Sequence, residues 1–121
     1  MPVTNIEDRT AEYAIRAIKL FRHLQRKKDG VGAVLGKQFL RCATSVGANM
    51  TEAQSGESRA DFIHKCAVAQ KEAKESRYWL KLMIKAEIIP PPKLIPLLQE
   101  TEEFVAIITT IIVNTKKNAA K

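Results

Sequence analysis

The chain has 121 residues, of which 45% are hydrophobic, and this is the size of a single domain with its own hydrophobic core. Lys and Arg number 20 against 13 Asp and Glu, which gives a net charge of +7 and favours polyanionic partners such as nucleic acid or acidic membrane surfaces. Charge alone does not choose between these two. The longest apolar run, near residues 104–113, is too short to span a bilayer, and the N-terminus lacks a basic segment followed by an apolar one. These features predict a cytoplasmic protein without a membrane-spanning segment.

The first half of the chain predicts two helices. Apolar residues recur at helical spacing from Tyr13 to Leu24, which predicts a first helix over about residues 8–28. A second helix is predicted over about residues 34–54, with an apolar side that includes Phe39, Val46 and Met50. Residues 30–36 hold three glycines and are interpreted as a flexible connection. A phosphate-binding loop is disfavoured there, because no strand precedes it and no Gly-Lys-Ser/Thr follows.

The second half predicts two more helices. Ser58-Arg59-Ala60-Asp61 resembles a capping box, and the heptad-spaced stripe that follows predicts a third helix over about residues 59–87. Residues 90–92 are prolines and predict a stiff connector. A fourth helix is predicted over about residues 93–115, where Pro96 is acceptable only near the helix start. Residues 116–121 are interpreted as a basic tail.

Four such helices with short connections predict an all-α, antiparallel up-and-down four-helix bundle in one domain, since no segment shows strand alternation. Apolar residues cover most of the circumference of the fourth helix between Phe104 and Val113. Ala14, Ile15 and Ile18 widen the apolar arc of the first helix in the same way. A monomer would leave part of this surface in water, so a homo-oligomer is expected.

Catalytic and metal-binding patterns are weak. Cys42 and Cys66 lie in apolar stripes without a CxxC or Cys/His cluster and are predicted to be reduced core thiols. Asp61-x-x-His64 weakly resembles the Glu-x-x-His motif of di-iron bundles and occurs only once. His23 is interpreted as a solvated surface residue. We therefore expect no catalytic residue, no metal, no cofactor and no enzymatic activity.

A set of polar residues on the second and third helices is interpreted as a structural network whose members satisfy one another, since unpaired buried charges are costly. Its predicted members are Thr44, Ser45, Asn49, Glu52, Glu72, Glu75 and Arg77. A catalytic or ligand site in a cleft containing Glu52, Glu72, Glu75 and Arg77 is the weaker alternative.

Basic residues form two predicted outer stripes. On the first helix the stripe holds Arg9, Arg16, Lys19, His23 and Arg26, and on the third helix it holds Lys71, Lys74, Tyr78, Lys81 and Lys85. The lysines and arginines would contact phosphates, and Tyr78 would stack on an unpaired base. This favours an oligomeric protein that binds RNA or DNA. The alternative is a protein-interaction scaffold whose basic surface serves solubility.

Two central motifs resemble those of a known family. The motifs are Leu40-Arg41-x-Ala43-Thr44-Ser45-Val46-Gly47-Ala48-Asn49, with Glu52-Ala53 after it, and Lys71-Glu72-Ala73-x-Glu75-x-Arg77-Tyr78-Trp79-Leu80, with Asp61-Phe62-Ile63-x-Lys65 before it. They resemble the bacterial four-helix-bundle proteins encoded in 23S rRNA intervening sequences, sometimes labelled ribosomal-protein-like. The resemblance implies a left-handed bundle that assembles as a homopentameric ring, and it implies little about activity. A related group, the accessory proteins of diversity-generating retroelements, forms basic pentamers that bind nucleic acid and a reverse transcriptase, which supports nucleic-acid binding by analogy.

Overall fold

The computed structural model describes residues 6–119, which form four α-helices and, within that range, no strand. The helices are α1 (Ile6–Arg26), α2 (Gly30–Ala53), α3 (Arg59–Lys85) and α4 (Pro91–Ala119). Successive helices run antiparallel: on α2 and α3, for example, Glu52 pairs with Lys65 while Arg41 pairs with Glu72. The predicted all-α four-helix bundle is confirmed. Its left hand and its assembly into a ring stay predictions.

Side-chain caps start two of the helices. The Ser58 hydroxyl accepts a hydrogen bond from the Asp61 backbone N–H at 3.1 Å, which confirms the predicted capping residue of α3. Asp29 caps α2 in the same way by accepting from the Gly32 N–H at 3.0 Å. α2 therefore begins at Gly30, and the flexible connection predicted for residues 30–36 is wrong.

The glycines at the start of α2 allow α1 to approach closely. A Cβ atom at Gly36 would lie 2.6 Å from a methyl group of the buried Leu24 on α1, and one at Gly32 would lie 3.1 Å from another Leu24 methyl. Packing against Leu24 thus stabilises a helical turn that glycine alone disfavours by roughly 1 kcal/mol per residue.

The other helix boundaries differ from prediction by a few residues. α1 and α3 end at Arg26 and Lys85, each followed shortly by a residue in the left-handed backbone region, Lys28 and Glu87, both with a φ of 56°. α4 begins at Pro91, so the connector predicted for residues 90–92 is wrong at Pro91 and Pro92, because proline is tolerated in the first turn of a helix. Pro96 lies near the helix start as expected. The helix continues to Ala119, so residues 116–119 of the predicted basic tail are helical. Residues 120 and 121 of that tail lie outside the described residues.

Tyr13 lies at the centre of the core and is 1% exposed. Its ring meets Phe39 of α2 and Phe104 of α4 edge-on, at centroid distances of 5.9 and 5.0 Å. The Thr101 hydroxyl donates to the Leu97 carbonyl at 2.8 Å, so the Tyr13 hydroxyl is the donor in the short hydrogen bond that joins it to Thr101. The Tyr13 side chain therefore links α1 to both α2 and α4.

α1 packs closely on α2 but has little contact with α4. Arg9 adds a second polar link between α1 and α4, since it pairs with Glu100 at 2.6 Å and with Glu103 at 3.0 Å. The Arg9 guanidinium also lies over the Phe104 ring, 5.4 Å from its centroid. We call these contacts of Arg9 and Tyr13 the α1–α4 clasp.

Both cysteines are buried and free, as predicted for core thiols. Burial raises the pKa of the Cys42 thiol to about 11, which keeps the thiolate, the reactive form, scarce near neutral pH.

The contact between α1 and α2 predicts that Gly47→Leu destabilises the fold. A Cβ atom at Gly47 would lie 2.8 Å from the Thr10 Oγ1 and 3.0 Å from its Cβ, so a leucine forces the helices apart. We expect a loss of about 2 kcal/mol or more in the free energy of unfolding, measured by urea denaturation. Ala73→Leu, at a fully buried position on α3, should cost a similar amount. Ala67→Leu on the exposed side of α3 is the matched control and should change stability by less than about 0.5 kcal/mol. An undiminished midpoint for Gly47→Leu would contradict the close contact.

The buried hydroxyl of Tyr13 predicts a loss of stability at alkaline pH. Burial raises the pKa of Tyr13 far above its ordinary value, which is about 10. The buried Tyr13 hydroxyl therefore stabilises the fold fully below about pH 10, and this stabilisation is lost as the pH rises further. The reason is that Tyr13 ionises readily only in the unfolded chain. Tyr13→Phe should cost about 1 kcal/mol at neutral pH and should show a shallower alkaline decline than the wild type. Tyr78→Phe, at an exposed ring, is the control and should follow the wild type. If the stability of the wild type and of Tyr13→Phe declines in parallel at alkaline pH, the alkaline loss does not come from Tyr13 and the prediction is refuted.

Candidate nucleic-acid interface

The basic stripe predicted on the third helix lies on the exposed face of α3. Its five residues are spaced three or four apart, so they lie above one another on one side of the helix. All five side chains are exposed, and none of the four lysines has an ion-pair partner within residues 6–119. We call Lys71, Lys74, Tyr78, Lys81 and Lys85 the α3 stripe.

Tyr78 gives the α3 stripe an aromatic surface. Its side chain is 58% exposed, and its ring packs edge-on against Trp79 with 5.1 Å between centroids. Trp79 is itself held by a hydrogen bond from its indole N–H to the Glu75 carboxylate at 3.3 Å. A supported, exposed ring of this kind can stack on an unpaired base.

The stripe predicted on the first helix is divided by the structure. Arg9 belongs to the α1–α4 clasp, where hydrogen bonds to Glu100 and Glu103 raise its pKa. Arg9 is thus engaged in holding two helices together, and we leave it out of the interface. Arg26 is exposed at the end of α1. Arg16, Lys19 and His23 line a groove between α1 and α4.

This groove, the α1–α4 groove, lies beyond the clasp. Lys93 of α4 is a further cation along it, and the apolar part of its lining comes from Leu20, Ile89 and Leu97. The backbones of α1 and α3 do not approach each other within the described residues. The two predicted stripes therefore do not form one continuous face.

The stripes instead converge at one end of the bundle. Because the helices alternate in direction, residues 19–37 and 78–97 lie together there, and we call them the basic end. The basic end contains nine basic and two acidic residues, and this difference equals the net charge of +7 for the whole chain. Its basic residues are Lys19, Arg22, Arg26, Lys27, Lys28, Lys37, Lys81, Lys85 and Lys93. The remainder of the chain is balanced between acidic and basic residues.

Sequence reasoning by helical faces missed five members of this group. Arg22, Lys27, Lys28, Lys37 and Lys93 lie off the predicted stripes, near helix ends and connections. The signal that could have found them is topological, because an up-and-down bundle brings every second connection to the same end.

The predicted polar network does not form as a connected cluster among the described residues. The hydroxyls of Thr44 and Ser45 and the amide of Asn49 each bond to the carbonyl four residues earlier in α2, at 2.8 Å. Glu52 pairs with Lys65, and Arg77 pairs with Glu102. The expected mutual pairing is therefore wrong, because helix carbonyls and residues outside the set satisfy these groups.

Glu72 and Glu75 converge instead on Arg41, which lies outside the predicted set. The Arg41 guanidinium pairs with Glu75 and lies 3.6 Å from Glu72. Arg41 belongs to α2 and the carboxylates to α3, so the cluster joins two adjacent helices. The Glu75 carboxylate also accepts from the indole of Trp79, so the cluster helps to hold that ring.

The described residues give neither a metal site nor a membrane span. Residues 6–119 contain no group of three or more His, Cys, Asp or Glu side chains that could hold a metal ion. Over the same residues, the helices lack the combination of length and apolar character that crossing a bilayer requires.

Comparisons with known proteins give a family and a structural neighbour. The family model described as "23S rRNA-intervening sequence protein" matches residues 4–110. A similar solved structure is a protein with unknown function from the S23 ribosomal protein family of Bacteroides thetaiotaomicron VPI-5482. It has 38% sequence identity and a TM-score of 0.83, and the match covers 89% of this chain and 98% of the other. A search of curated proteins gave no match. The match over most of the chain shows that this protein belongs to the 23S rRNA-intervening sequence protein family.

Proposed function

We propose that the protein is a non-enzymatic, homo-oligomeric bundle that binds nucleic acid, either RNA or DNA, through the basic end and the α3 stripe. The observation that carries this proposal is the surplus of seven basic over acidic residues at one end of the bundle, which equals the net charge of the whole chain. A polarised charge of this kind attracts polyanions to one surface more strongly than the same charge spread evenly.

The α3 stripe is long enough to follow several nucleotides of a nucleic-acid strand. From Lys71 to Lys85 the helix rises about 21 Å, which matches about six base pairs of duplex at 3.4 Å each. The lysines would neutralise successive phosphates, and Tyr78 would stack on a base wherever the strand is unpaired. Such contacts read the backbone rather than the sequence, so binding should weaken steeply with salt.

RNA is the first probe to use. The family description refers to a 23S rRNA intervening sequence, and the neighbour's title refers to a ribosomal protein family. These descriptions make RNA the natural first probe, while the geometry of the α3 stripe is equally compatible with DNA.

Oligomerisation is supported by apolar surface that the single chain leaves uncovered. Ile15 on α1 is 43% exposed and Val113 on α4 is 44% exposed. A shallow, mostly apolar groove on α4 is lined by Ala106, Ile107, Thr110 and Ile111. A second copy covering these residues would remove them from water and would multiply the basic end by the number of subunits. The resemblance to ring-forming bundles favours five subunits.

Lys81 and Lys85 provide the test of nucleic-acid binding. Lys81→Gln with Lys85→Gln should weaken binding of labelled single-stranded RNA about tenfold at low salt, measured by fluorescence anisotropy. The slope of log affinity against log salt should also fall, by roughly 0.7 for each lost phosphate contact on a single strand. Lys116→Gln with Lys117→Gln removes the same charge at the opposite end and should change the affinity by less than about twofold. An equal loss of RNA affinity in the two double variants, or no RNA binding by the wild type, would contradict the proposed surface.

Val113 provides the test of oligomerisation. The wild type should sediment at a multiple of 13.6 kDa, and Val113→Glu should shift it toward the monomer, because a buried unpaired carboxylate is costly. Val31→Glu is the matched control, since Val31 is even more exposed but lies on α2, and it should leave the mass unchanged. A wild type that sediments as a monomer would refute the oligomer.

A further inference from the structure

The clasp joins α4 to the N-terminal half of α1, and the α1–α4 groove lies beside the C-terminal half. Arg9 and Tyr13 contact α4 at residues 100–104. Beyond these contacts, residues 16–23 of α1 form one wall of the groove, and Leu97 and Lys93 of α4 form the other. The groove has a volume of about 290 Å³ and is open to solvent along one side.

The lining of the groove combines positive charge with an aliphatic floor. Arg16, Lys19 and Lys93 have no ion-pair partner within residues 6–119, and His23 is exposed beside them. The floor consists of half-buried Leu20 and the deeper side chains of Ile89 and Leu97. A complementary ligand must present carboxylates or phosphates at its edges and aliphatic groups at its centre.

The shape and lining favour a peptide over the other ligands with these properties. The groove has no Phe, Tyr or Trp among its lining residues, so a base could stack only on His23 or Arg16. Its floor of Leu20, Ile89 and Leu97 instead suits aliphatic side chains. The groove is also open rather than enclosed, whereas pockets for small molecules bury most of the ligand. Arg16 and His23 are two turns apart, about 10 Å along the helix. This length suits two turns of an amphipathic peptide helix lying between α1 and α4.

We infer that the α1–α4 groove binds an acidic amphipathic helix of a partner protein, with aliphatic side chains over Leu20 and carboxylates toward Arg16, Lys19 and Lys93. This interaction goes beyond nucleic-acid binding. The groove shares Lys19 and Lys93 with the basic end, but Lys81 and Lys85 do not line it. Variants of Lys81 and Lys85, which lie outside the groove, can therefore separate the two activities.

The test uses two labelled synthetic helices about four turns long with the same Leu and Glu content. In the first, the leucines form one stripe, and in the second the order is scrambled so that the stripe is lost. In fluorescence anisotropy the striped peptide should bind the full-length protein at least about tenfold more tightly than the scrambled one, a difference of about 1.4 kcal/mol. Equal affinities, or no saturable binding at millimolar peptide, would overturn the proposal.

Protein variants locate the binding to the groove. Arg16→Glu with Lys93→Glu should weaken binding of the striped peptide at least about tenfold. Lys116→Glu with Lys117→Glu makes the same charge change at the other end of the bundle and should have less than about a twofold effect. Equal weakening by the two double variants would show unspecific attraction and would overturn the proposal.

A second pair of variants separates the groove from the nucleic-acid surface. Lys81→Gln with Lys85→Gln, which weakens RNA binding under the proposed function, should change the affinity for the striped peptide by less than about twofold. Loss of RNA binding in the double variant of Arg16 and Lys93, with unchanged peptide binding, would overturn the proposal and assign the groove to nucleic acid instead.

Discussion

The buried contacts of Tyr13 with Phe39, Phe104 and Thr101 hold α1 against α2 and α4, and the surfaces of the molecule depend on that arrangement. α1 rests mainly on α2, and its link to α4 runs through Tyr13 and Arg9. The Tyr13 hydroxyl is buried, and leaving it without a partner would cost about 1–3 kcal/mol. The hydrogen bond to Thr101 acts together with the buried side chains of Ala17 and Leu24 in holding one rotation of α1 about its own axis. That rotation places Arg16, Lys19 and His23 along the groove instead of on the outer face of the bundle.

The ion pairs between helices decide where the positive charge appears. Among the described residues, six carboxylates each pair with a basic residue of a neighbouring helix, namely those of Glu52, Glu72, Glu75, Glu100, Glu102 and Glu103. At the basic end the acidic residues are Asp29 and Glu87, and Asp29 is occupied in capping α2. Paired charges thus join the helices along the bundle, while cations without an acidic partner accumulate at one end. Exposed pairs contribute little individually, about 0–1 kcal/mol, so their main effect here is on the electrostatic field.

Local signals in the sequence predict much of the fold and less of the site. The Ser58 cap and the heptad spacing of α3 depend on neighbouring residues, and both can be found in the sequence. The start of α2 depends on contacts of Gly32 and Gly36 with Leu24. Helix propensities describe single residues and do not include such contacts. Arg9 resembles a surface cation in the sequence because its partner Glu100 is 91 residues away. The role of Arg41 is hidden for the same reason, since its carboxylates lie on another helix.

Trp79 is the single tryptophan of the chain, and its position makes it an intrinsic optical reporter. Its indole is half-buried, touches Tyr78 of the α3 stripe and donates to Glu75. A strand stacking on Tyr78 would change the surroundings of the indole, whereas the α1–α4 groove is lined by neither residue. Emission from the unlabelled protein therefore distinguishes which of its two surfaces is occupied.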